Sequence, residues 1–288
     1  MGSFLLAMET MYVCGATAVG KTSRALALAR ELGGEIVNGD AFQLFQGIET
    51  LSAAPSGEEM AAAPHHLFGV LEPGESCDAG RYSEMAGEVI SEIHARGKTA
   101  IVVGGSGLYL KFLTHGASPL PRGDGKLRAE LDAKPLEELF AELEKLDPVE
   151  AAQVDRHNPR YVSRALEICL LSGEKVSELR DSWAEKTRSI ESGLKGVWLI
   201  RSRADLHERI AQRTRQMLFG GAVEEVAALD GVYGNWEKAI GVKEIRRLLA
   251  DEISREKCEE LIVFATRQYA KRQETWFRRE KWLEQVRF

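Results

Sequence analysis

Residues 15–22 read Gly15-Ala16-Thr17-Ala18-Val19-Gly20-Lys21-Thr22 and match the phosphate-loop pattern G-x-x-x-x-G-K-[ST] at every fixed position. The apolar run at residues 11–14 predicts a strand before the loop, and the helical pattern that ends at Gly33 predicts a helix after it. The amides of such a loop turn inward on an anion, and the N-terminus of the helix adds about half a positive charge. We therefore expect all eight residues to bind phosphate groups, with Lys21 on phosphate oxygens and Thr22 as a ligand of Mg²⁺.

Outward from the loop, short apolar runs at residues 35–38, 99–103 and 197–200 predict three more strands. They alternate with helical patterns, and each is nearly all apolar. This combination is typical of a parallel sheet that is covered on both faces. The fold class is therefore α/β, with a P-loop parallel-sheet core.

The strand signal is absent between residues 115 and 195. Helical patterns replace it at residues 126–132, 135–146, 148–154 and 160–172, after a chain break rich in proline and glycine at residues 119–125. We interpret residues 118–195 as an all-helical insertion domain in the α/β core. Residues 1–117 then form the first part of the core, and residues 196–288 form the second. This second part contains helices at residues 205–220 and from 255 to about 282.

Composition excludes several classes of protein. Of 288 residues, 44% are hydrophobic and 28% are charged, which excludes a disordered or coiled-coil chain. The apolar runs are far shorter than the roughly 20 residues that a membrane span requires. Residues 1–10 lack the basic region of a signal peptide and are interpreted as a leader to the first strand. Four scattered cysteines without metal-ligand spacing indicate a cytoplasmic protein without a structural metal, and no feature indicates an obligate protein partner.

The net charge of −6 conceals a local basic segment. Residues 261–288 contain seven Lys and Arg against three Glu. A basic helix on an acidic protein is compatible with a nucleic-acid partner, although a solvated helix face gives the same pattern.

Asp40 is the acidic residue that the pattern places beside the loop. Most P-loop nucleotidases carry an Asp at the end of an apolar strand to hold Mg²⁺, but here the strand at 99–103 runs into Gly104-Gly105-Ser106-Gly107. Asp40 instead follows the second strand. At the carboxyl edge of a parallel sheet it faces whatever the loop holds, and the alternative is that it caps a helix.

Seven blocks in one order along nearly the whole chain resemble the bacterial tRNA dimethylallyltransferases. They are residues 15–22, the Asp40-Ala41-Phe42-Gln43 block, residues 64–67, 103–109 and 163–167, residues 239–244, and the basic block 266–278. The resemblance implies a reaction in which N6 of adenine 37, in the anticodon loop of tRNA, attacks C1 of dimethylallyl diphosphate and diphosphate leaves. Mg²⁺ is the implied cofactor.

The resemblance also implies roles for individual residues. The catalytic residues are Asp40, as the base that accepts the N6 proton, together with Ser106 and Lys21. Arg213 joins residues 15–22 in binding the diphosphate. The implied contacts to tRNA are Asp40, Ala41, Phe42, Gln43, Ser106, Arg128, Arg160, Tyr161, Val162, Ser163, Arg164, Lys238, Lys243, Lys271, Arg272, Gln273, Trp276 and Arg278. Trp276 is equally compatible with packing in the core. The adjacent His65 and His66 point apart on any regular element, so we expect no metal there.

The chain departs from the family pattern at several positions. Ala41 replaces a usual serine, Phe45 a tyrosine, Ala54 a lysine and Tyr161 an arginine, and Val242 stands where the family has tyrosine. Three alternatives follow from the loop and these departures. They are a P-loop small-molecule kinase that uses ATP, an adenylate prenyltransferase that acts on free AMP, and a nucleotide-gated binding module without activity. The basic segment favours a polynucleotide partner over AMP.

Overall fold

The computed structural model describes residues 9–117, 120–121 and 123–288. The predicted leader at residues 1–10 lies almost wholly outside the described residues, as do Pro119 and Arg122 of the predicted chain break. Contacts between Cα atoms divide the chain into two units, residues 1–116 with 194–288, and Ala117–Gly193.

A six-stranded, wholly parallel sheet forms the first unit and confirms the predicted P-loop α/β core. Its strand order is β3-β2-β4-β1-β5-β6. The strands are β1 (Thr10–Gly15), β2 (Glu35–Asn38), β3 (His65–His66), β4 (Ala100–Gly104), β5 (Lys195–Ile200) and β6 (Glu284–Arg287). Tyr12 and Cys14 pack in one hydrophobic cluster and Val13 in another, so side chains alternate between two buried faces as predicted.

The helices of the first unit that precede residue 117 are α1 (Lys21–Leu32), α2 (Glu49–Ser52), α3 (Gly57–Ala62), α4 (Ala79–Ala95) and α5 (Gly107–His115). Helix α1 buries Ala25, Leu28 and Ala29, which recur at helical spacing, against the sheet. It ends at Gly33, whose left-handed backbone (φ 61°) lets its amide donate to the Ala29 carbonyl.

The second unit, described by itself, consists of α6 (Gly125–Asp132), α7 (Leu136–Leu146), α8 (Pro148–Gln153), α9 (Pro159–Ser172) and α10 (Val176–Glu191). Asn158 caps α9 and Pro159 opens it, where a missing amide hydrogen costs nothing. Leu143 and Leu166 are fully buried in a separate core. Each such side chain contributes roughly 1.5–3 kcal/mol on burial, so the five helices have their own source of stability.

After residue 193 the first unit continues with β5 and then α11 (Arg203–Phe219), α12 (Ala222–Ala228), a 3-10 turn at Asn235–Lys238, α13 (Val242–Leu249), α14 (Arg255–Phe277) and β6. Ser202 and Ser254 cap α11 and α14 with their hydroxyl groups. None of the helices in the described part of the chain is long and apolar enough to cross a membrane.

The structure contains two strands that the sequence did not predict, and two element boundaries differ from the prediction. The two edge strands β3 and β6 were not predicted, because one has two residues and the other only one apolar side chain, Val286. The prediction that the last helix reaches residue 282 is wrong. It ends at Phe277, and the following segment turns so that β6 can bond along β5. Lys195, given to the insertion by the sequence pattern, is the first residue of β5.

Candidate active site at the carboxyl edge of the sheet

The phosphate loop joins β1 to α1 with an unusual backbone. Ala18 (φ 63°) and Gly20 (φ 105°) both lie in the left-handed region. A Cβ at Gly15 would lie 2.9 Å from the Leu199 carbonyl oxygen, so glycine is required where the loop passes β5. Gly20 starts α1 without any side-chain cap, which leaves the amides of the first turn available to an anion.

Lys21 is the first residue of α1 and is partly buried. Its Nζ donates to the carbonyl oxygens of Gly15 (3.2 Å) and Ala16 (3.0 Å), both of which belong to the phosphate loop. Burial lowers the pKa of Lys21 to about 8; Arg213 adds to this effect and the carboxylate of Asp40 opposes it. Lys21 is therefore a cation that changes charge near physiological pH.

Three arginine side chains donate hydrogen bonds to the phosphate loop. Arg213, on α11, donates to the Thr17 hydroxyl group. Arg209, one turn earlier, donates from Nε to the Ala18 carbonyl at 2.9 Å. Arg201, which follows β5, donates from Nε to the Val19 carbonyl at 2.8 Å. The sequence predicted Arg213; the spacing of four residues between 209 and 213 is the signal that could have found Arg209.

Asp40 lies after β2 at the edge of the sheet where the phosphate loop begins. Its amide donates to Asn38 Oδ1 at 2.7 Å, and its own Oδ1 accepts from the Phe42 amide at 3.2 Å. These bonds form a turn, and the next helix, α2, begins only at Glu49. Asp40 is thus not a helix cap, which removes the alternative left open by the sequence.

Ser106 and the glycines before it bring β4 against the same turn. The Ser106 hydroxyl oxygen accepts a hydrogen bond from the Ala41 amide at 2.9 Å. A Cβ at Gly104 would lie 2.0 Å from the Gly39 carbonyl oxygen, so the two backbones touch. Ser106 therefore holds the residue next to Asp40 in place.

A polar cavity of about 410 Å³ lies over the phosphate loop. The residues that line it include Thr17, Lys21, Thr22, Asp40, Gln43, Ala54, His65, Arg209 and Arg213. His65 Nδ1 lies 2.7 Å from the Ala63 carbonyl oxygen, so that nitrogen carries the proton. Its Nε2 is buried and has no hydrogen-bond partner in the described part of the chain. His66 instead pairs with Glu35 at 2.7 Å, so the two histidines point apart as expected.

A second cavity, of about 70 Å³, adjoins the first; its walls are mixed, and we call it the apolar cavity after its one apolar side. Both cavities are lined by Thr17, Asp40, Ser52 and Arg213. The walls of the second add Leu51, Met217, Ile240, Ile262 and Tyr269.

The Leu51 wall of this cavity is held by Glu225, on α12. The Glu225 carboxylate accepts from the Thr50 and Leu51 amides of α2 at 2.7 and 2.9 Å. Sequence reasoning missed this cavity, because its walls come from segments far apart in the chain.

The donors around the polar cavity suit a hard cation that is bound mainly through phosphate. Thr22 and Asp40 offer oxygen atoms, which Mg²⁺ prefers. Within residues 9–117, 120–121 and 123–288, no cluster of three His, Cys, Asp or Glu ligand atoms lies at this cavity. Mg²⁺ commonly takes one or two protein ligands and completes its shell with phosphate oxygens and water. The residues present therefore fit that ion.

Helix α14 carries the predicted basic block, and its residues divide by burial. Lys271, Arg272 and Arg278 are exposed. Trp276 is 37% exposed and packs on Gly107, where a Cβ would lie 2.4 Å from the indole ring. Gln273 is only 4% exposed, so its side chain is not on the surface that the tRNA prediction requires.

In the helical unit, a groove of about 670 Å³ is lined by Arg128, Asp132, Pro159, Arg160, Ser163 and Arg164. The buried Glu167 carboxylate orients Arg128 (2.8 Å) and Arg164 (2.5 Å). Arg160 is exposed beside them. Three of the predicted tRNA contacts of this unit, Arg128, Arg160 and Arg164, therefore line one groove.

Two predicted tRNA contacts of this unit are buried, although one of them, Ser163, also lines the groove. Val162 is wholly buried, and Ser163 is 5% exposed with its hydroxyl donating to Asp132 at 3.2 Å. A helix turns side chains inward every third or fourth residue, so a continuous block cannot all face RNA. Tyr161, by contrast, is 56% exposed.

The remaining predicted contacts lie in the first unit. Lys238 and Lys243 are exposed. Ala41 and Phe42 are partly buried and pack against the core. The Gln43 amide donates to the Ala53 carbonyl at 2.8 Å, beside Ala54 in the polar cavity.

Comparisons with known proteins point to one family. A family model described as IPP transferase matches residues 43–280. A tRNA dimethylallyltransferase of Akkermansia muciniphila is 43% identical, over 96% of this chain and 92% of that protein. The full-length tRNA isopentenylpyrophosphate transferase of Bacillus halodurans has a TM-score of 0.70 and 32% identity, over 97% and 90% of the two chains. A eukaryotic dimethylallyltransferase acting on tRNA has a TM-score of 0.74 and 26% identity, over 98% and 74%.

Proposed function

The chain belongs to the IPP transferase family and is an enzyme that prenylates tRNA, and from this we propose that it transfers the dimethylallyl group of dimethylallyl diphosphate to N6 of adenine 37. One observation carries the proposal. Asp40 lines both the polar cavity over the phosphate loop and the apolar cavity beside it. The donor molecule has the same two parts, a charged diphosphate and an apolar chain, and the reacting C1 atom joins them.

The diphosphate would bind the amides that are free in residues 15–22, with Lys21 and Arg213 as cations; the Thr17 amide already donates to Gln273 Oε1. Arg213 is held on Thr17, at the junction of the two cavities. The charge on the leaving oxygen grows as the C1–O bond breaks, so preorganised amides and cations stabilise the transition state more than the ground state. Mg²⁺, held through Thr22 and phosphate oxygens, would supply further positive charge to the leaving group.

The apolar cavity fits the dimethylallyl group. Its volume is about 70 Å³, and Leu51, Met217 and Ile262 give it an apolar side. Leu51, Met217 and Ile262 keep water from the reacting carbon, where water would otherwise compete with the base as the nucleophile.

Asp40 is the proposed general base. The N6 lone pair forms a bond to C1, the C1–O bond breaks, and the N6 proton passes to the Asp40 carboxylate. The Ser106 hydroxyl bonded to the Ala41 amide keeps this carboxylate in place. The adenine has to leave the stacked anticodon loop to reach a cavity.

We propose two basic surfaces for tRNA, one in each unit. Exposed cations lie on α14 at Lys271 and Arg272, just after it at Arg278, and in the groove of the helical unit at Arg128 and Arg160. Such cations bind phosphates and release counterions, so affinity depends on salt.

The boundaries 1–117, 118–195 and 196–288 remain our proposal for the domains. The cytoplasm is the proposed location, which agrees with four free cysteines.

The decisive experiment incubates the protein and Mg²⁺ with labelled dimethylallyl diphosphate and one of three acceptors, namely tRNA, AMP or ATP. We expect label in tRNA alone, and digestion to nucleosides should give N6-dimethylallyladenosine. A tRNA with guanosine at position 37 is the matched control and should remain unlabelled. Label in AMP, or ATP hydrolysis without label in tRNA, would refute the proposal in favour of an adenylate prenyltransferase or a kinase.

A further inference from the structure

Gln273 makes a pair of hydrogen bonds that the proposed chemistry does not yet use. It lies on α14 between exposed basic residues, yet its side chain is buried. Its Oε1 accepts from the Thr17 amide at 2.8 Å, and its Nε2 donates to the Gly105 carbonyl at 2.9 Å. One side chain of the basic helix therefore reaches both the phosphate loop and the loop that follows β4.

The two partners determine the orientation of the amide. A backbone amide can only donate and a carbonyl oxygen can only accept, so Oε1 must face Thr17 and Nε2 must face Gly105. Glutamine is a neutral side chain of this length that offers both an acceptor and a donor. Its removal would leave the partly buried Thr17 amide and the buried Gly105 carbonyl without this partner.

Gly105 supports the same arrangement from the other side. A Cβ there would lie 2.2 Å from Gln273 Nε2 and 3.2 Å from the Gly15 carbonyl oxygen. The absence of a side chain is therefore what allows the amide to enter.

Both bonded residues lie next to groups of the proposed mechanism. Thr17 holds Arg213 through its hydroxyl group and lines both cavities. Gly105 precedes Ser106, whose hydroxyl accepts from the Ala41 amide beside Asp40. A displacement of Gln273 would thus move the diphosphate site and the base together.

We propose that Gln273 is a positioning residue that couples α14 to the phosphate loop, so that tRNA on α14 and diphosphate in the loop strengthen each other's binding. The inference rests on the proposed function for the identity of the two ligands. Coupling between two sites is reciprocal, and its usual size is about 5–150-fold in affinity. Gln273 acts through the backbone of Thr17 and Gly105 and does not itself touch tRNA.

The first test measures the affinity of the whole protein for inorganic diphosphate by titration calorimetry, with and without saturating tRNA. We expect tRNA to tighten diphosphate binding at least fivefold in the parent protein. Gln273→Met, which keeps the length but loses both hydrogen bonds, should reduce this ratio to about one. Gln268→Met is the matched control, because Gln268 is exposed on the same helix, and it should keep the full ratio. The inference is overturned if tRNA tightens diphosphate binding equally in both variants, or if it does not tighten diphosphate binding in the parent.

The second test separates positioning from general loss of folding. In Gln273→Glu, a protonated carboxyl group can accept from Thr17 and donate to Gly105, whereas a carboxylate cannot donate. Burial raises the pKa of a carboxyl group. The single-turnover rate of this variant, divided by the parental rate, should therefore rise as the pH falls from 8 to 5.5, while the ratio for Gln273→Met stays flat. A flat ratio for Gln273→Glu overturns the inference.

The two proposals fail in different ways. If the parent protein transfers no prenyl group to tRNA, the proposed function is wrong, whatever Gln273 does. If the parent transfers normally and Gln273→Met keeps both the transfer rate and the binding ratio, only the positioning role is wrong. Melting temperatures of all three variants show which differences come from unfolding.

Discussion

The pH dependence of prenyl transfer tests whether Lys21 serves the diphosphate as a cation. Its pKa is lowered to about 8, chiefly by burial. A neutral Lys21 cannot balance the charge of the diphosphate. We therefore expect kcat/KM for dimethylallyl diphosphate to fall as the pH rises through 8, because this constant follows the protonation of the enzyme form that meets the donor, which has no diphosphate bound.

The size of the effect follows from that pKa. With a pKa of about 8, Lys21 is about 90% protonated at pH 7 and about 10% protonated at pH 9, so kcat/KM should fall about tenfold. Unfolding does not explain such a fall. Between pH 8 and 10.5 the folded protein binds fewer protons at Lys21 than the unfolded chain does. The contribution of this group to stability therefore rises with pH in that window.

The assay measures kcat/KM for dimethylallyl diphosphate from pH 6.5 to 9.5 at saturating tRNA. Substitutions of two residues near Lys21 should shift the pH at which kcat/KM falls, the alkaline limb of the profile, in opposite directions. Asp40 raises the pKa of Lys21 and Arg213 lowers it. Asp40→Asn should therefore move the limb to lower pH, and Arg213→Gln should move it to higher pH. Lys21→Arg, although slower, should show no limb of this kind below pH 9.5, since arginine stays charged.

Two outcomes would refute the reasoning. A parental profile that stays flat up to pH 9.5 means that Lys21 is charged throughout or is not needed as a cation. A limb that persists unchanged in Lys21→Arg assigns the titration to another group, such as a base of the tRNA.

Three further perturbations have defined outcomes. Asp40→Asn should lower the single-turnover transfer rate roughly 10²–10⁴-fold with nearly unchanged tRNA affinity, as measured by rapid quench and filter binding; near-parental transfer would leave the reaction without its base. Arg160→Ala and Lys271→Ala should each reduce the slope of log affinity against log salt by about 0.7–0.9, measured by fluorescence titration, and unchanged slopes would remove these surfaces from the tRNA interface. Gly104→Ala should lower the melting temperature and abolish transfer, because its Cβ would lie 2.0 Å from the Gly39 carbonyl oxygen; a variant with parental melting temperature would show that the two loops can separate freely.

The sequence was sufficient for the parts of the structure that depend on local pattern. Four apolar runs predicted the four inner strands, because a strand buried on both faces has few polar residues. The phosphate loop was identified from fixed glycines, which the left-handed backbone at Gly20 requires. The position of Asp40 at the sheet edge followed from the rule that parallel strands end at one edge.

Features that depend on contacts between distant segments could not be predicted. The apolar cavity joins Leu51 to Met217 and Ile262, and no spacing in the chain relates these residues. Gln273 lies in a basic block, so pattern alone assigned it to the surface, whereas its partners are 256 and 168 residues away. The short strand β6 has an exposed, mostly polar sequence and exists because β5 offers it an unpaired edge.

The small size of the apolar cavity has a consequence for the choice of donor. If it holds the dimethylallyl group as we propose, the enzyme measures chain length by volume, because its walls offer apolar contacts that any prenyl chain would accept. Longer prenyl diphosphates carry the same charged group and would compete for the phosphate loop, but their tails are larger than the volume of about 70 Å³ beside Leu51, Met217 and Ile262. Such donors would bind through diphosphate and fail to place C1 beside Asp40, so in a cell that makes longer prenyl diphosphates they would act as inhibitors of tRNA modification and not as substrates.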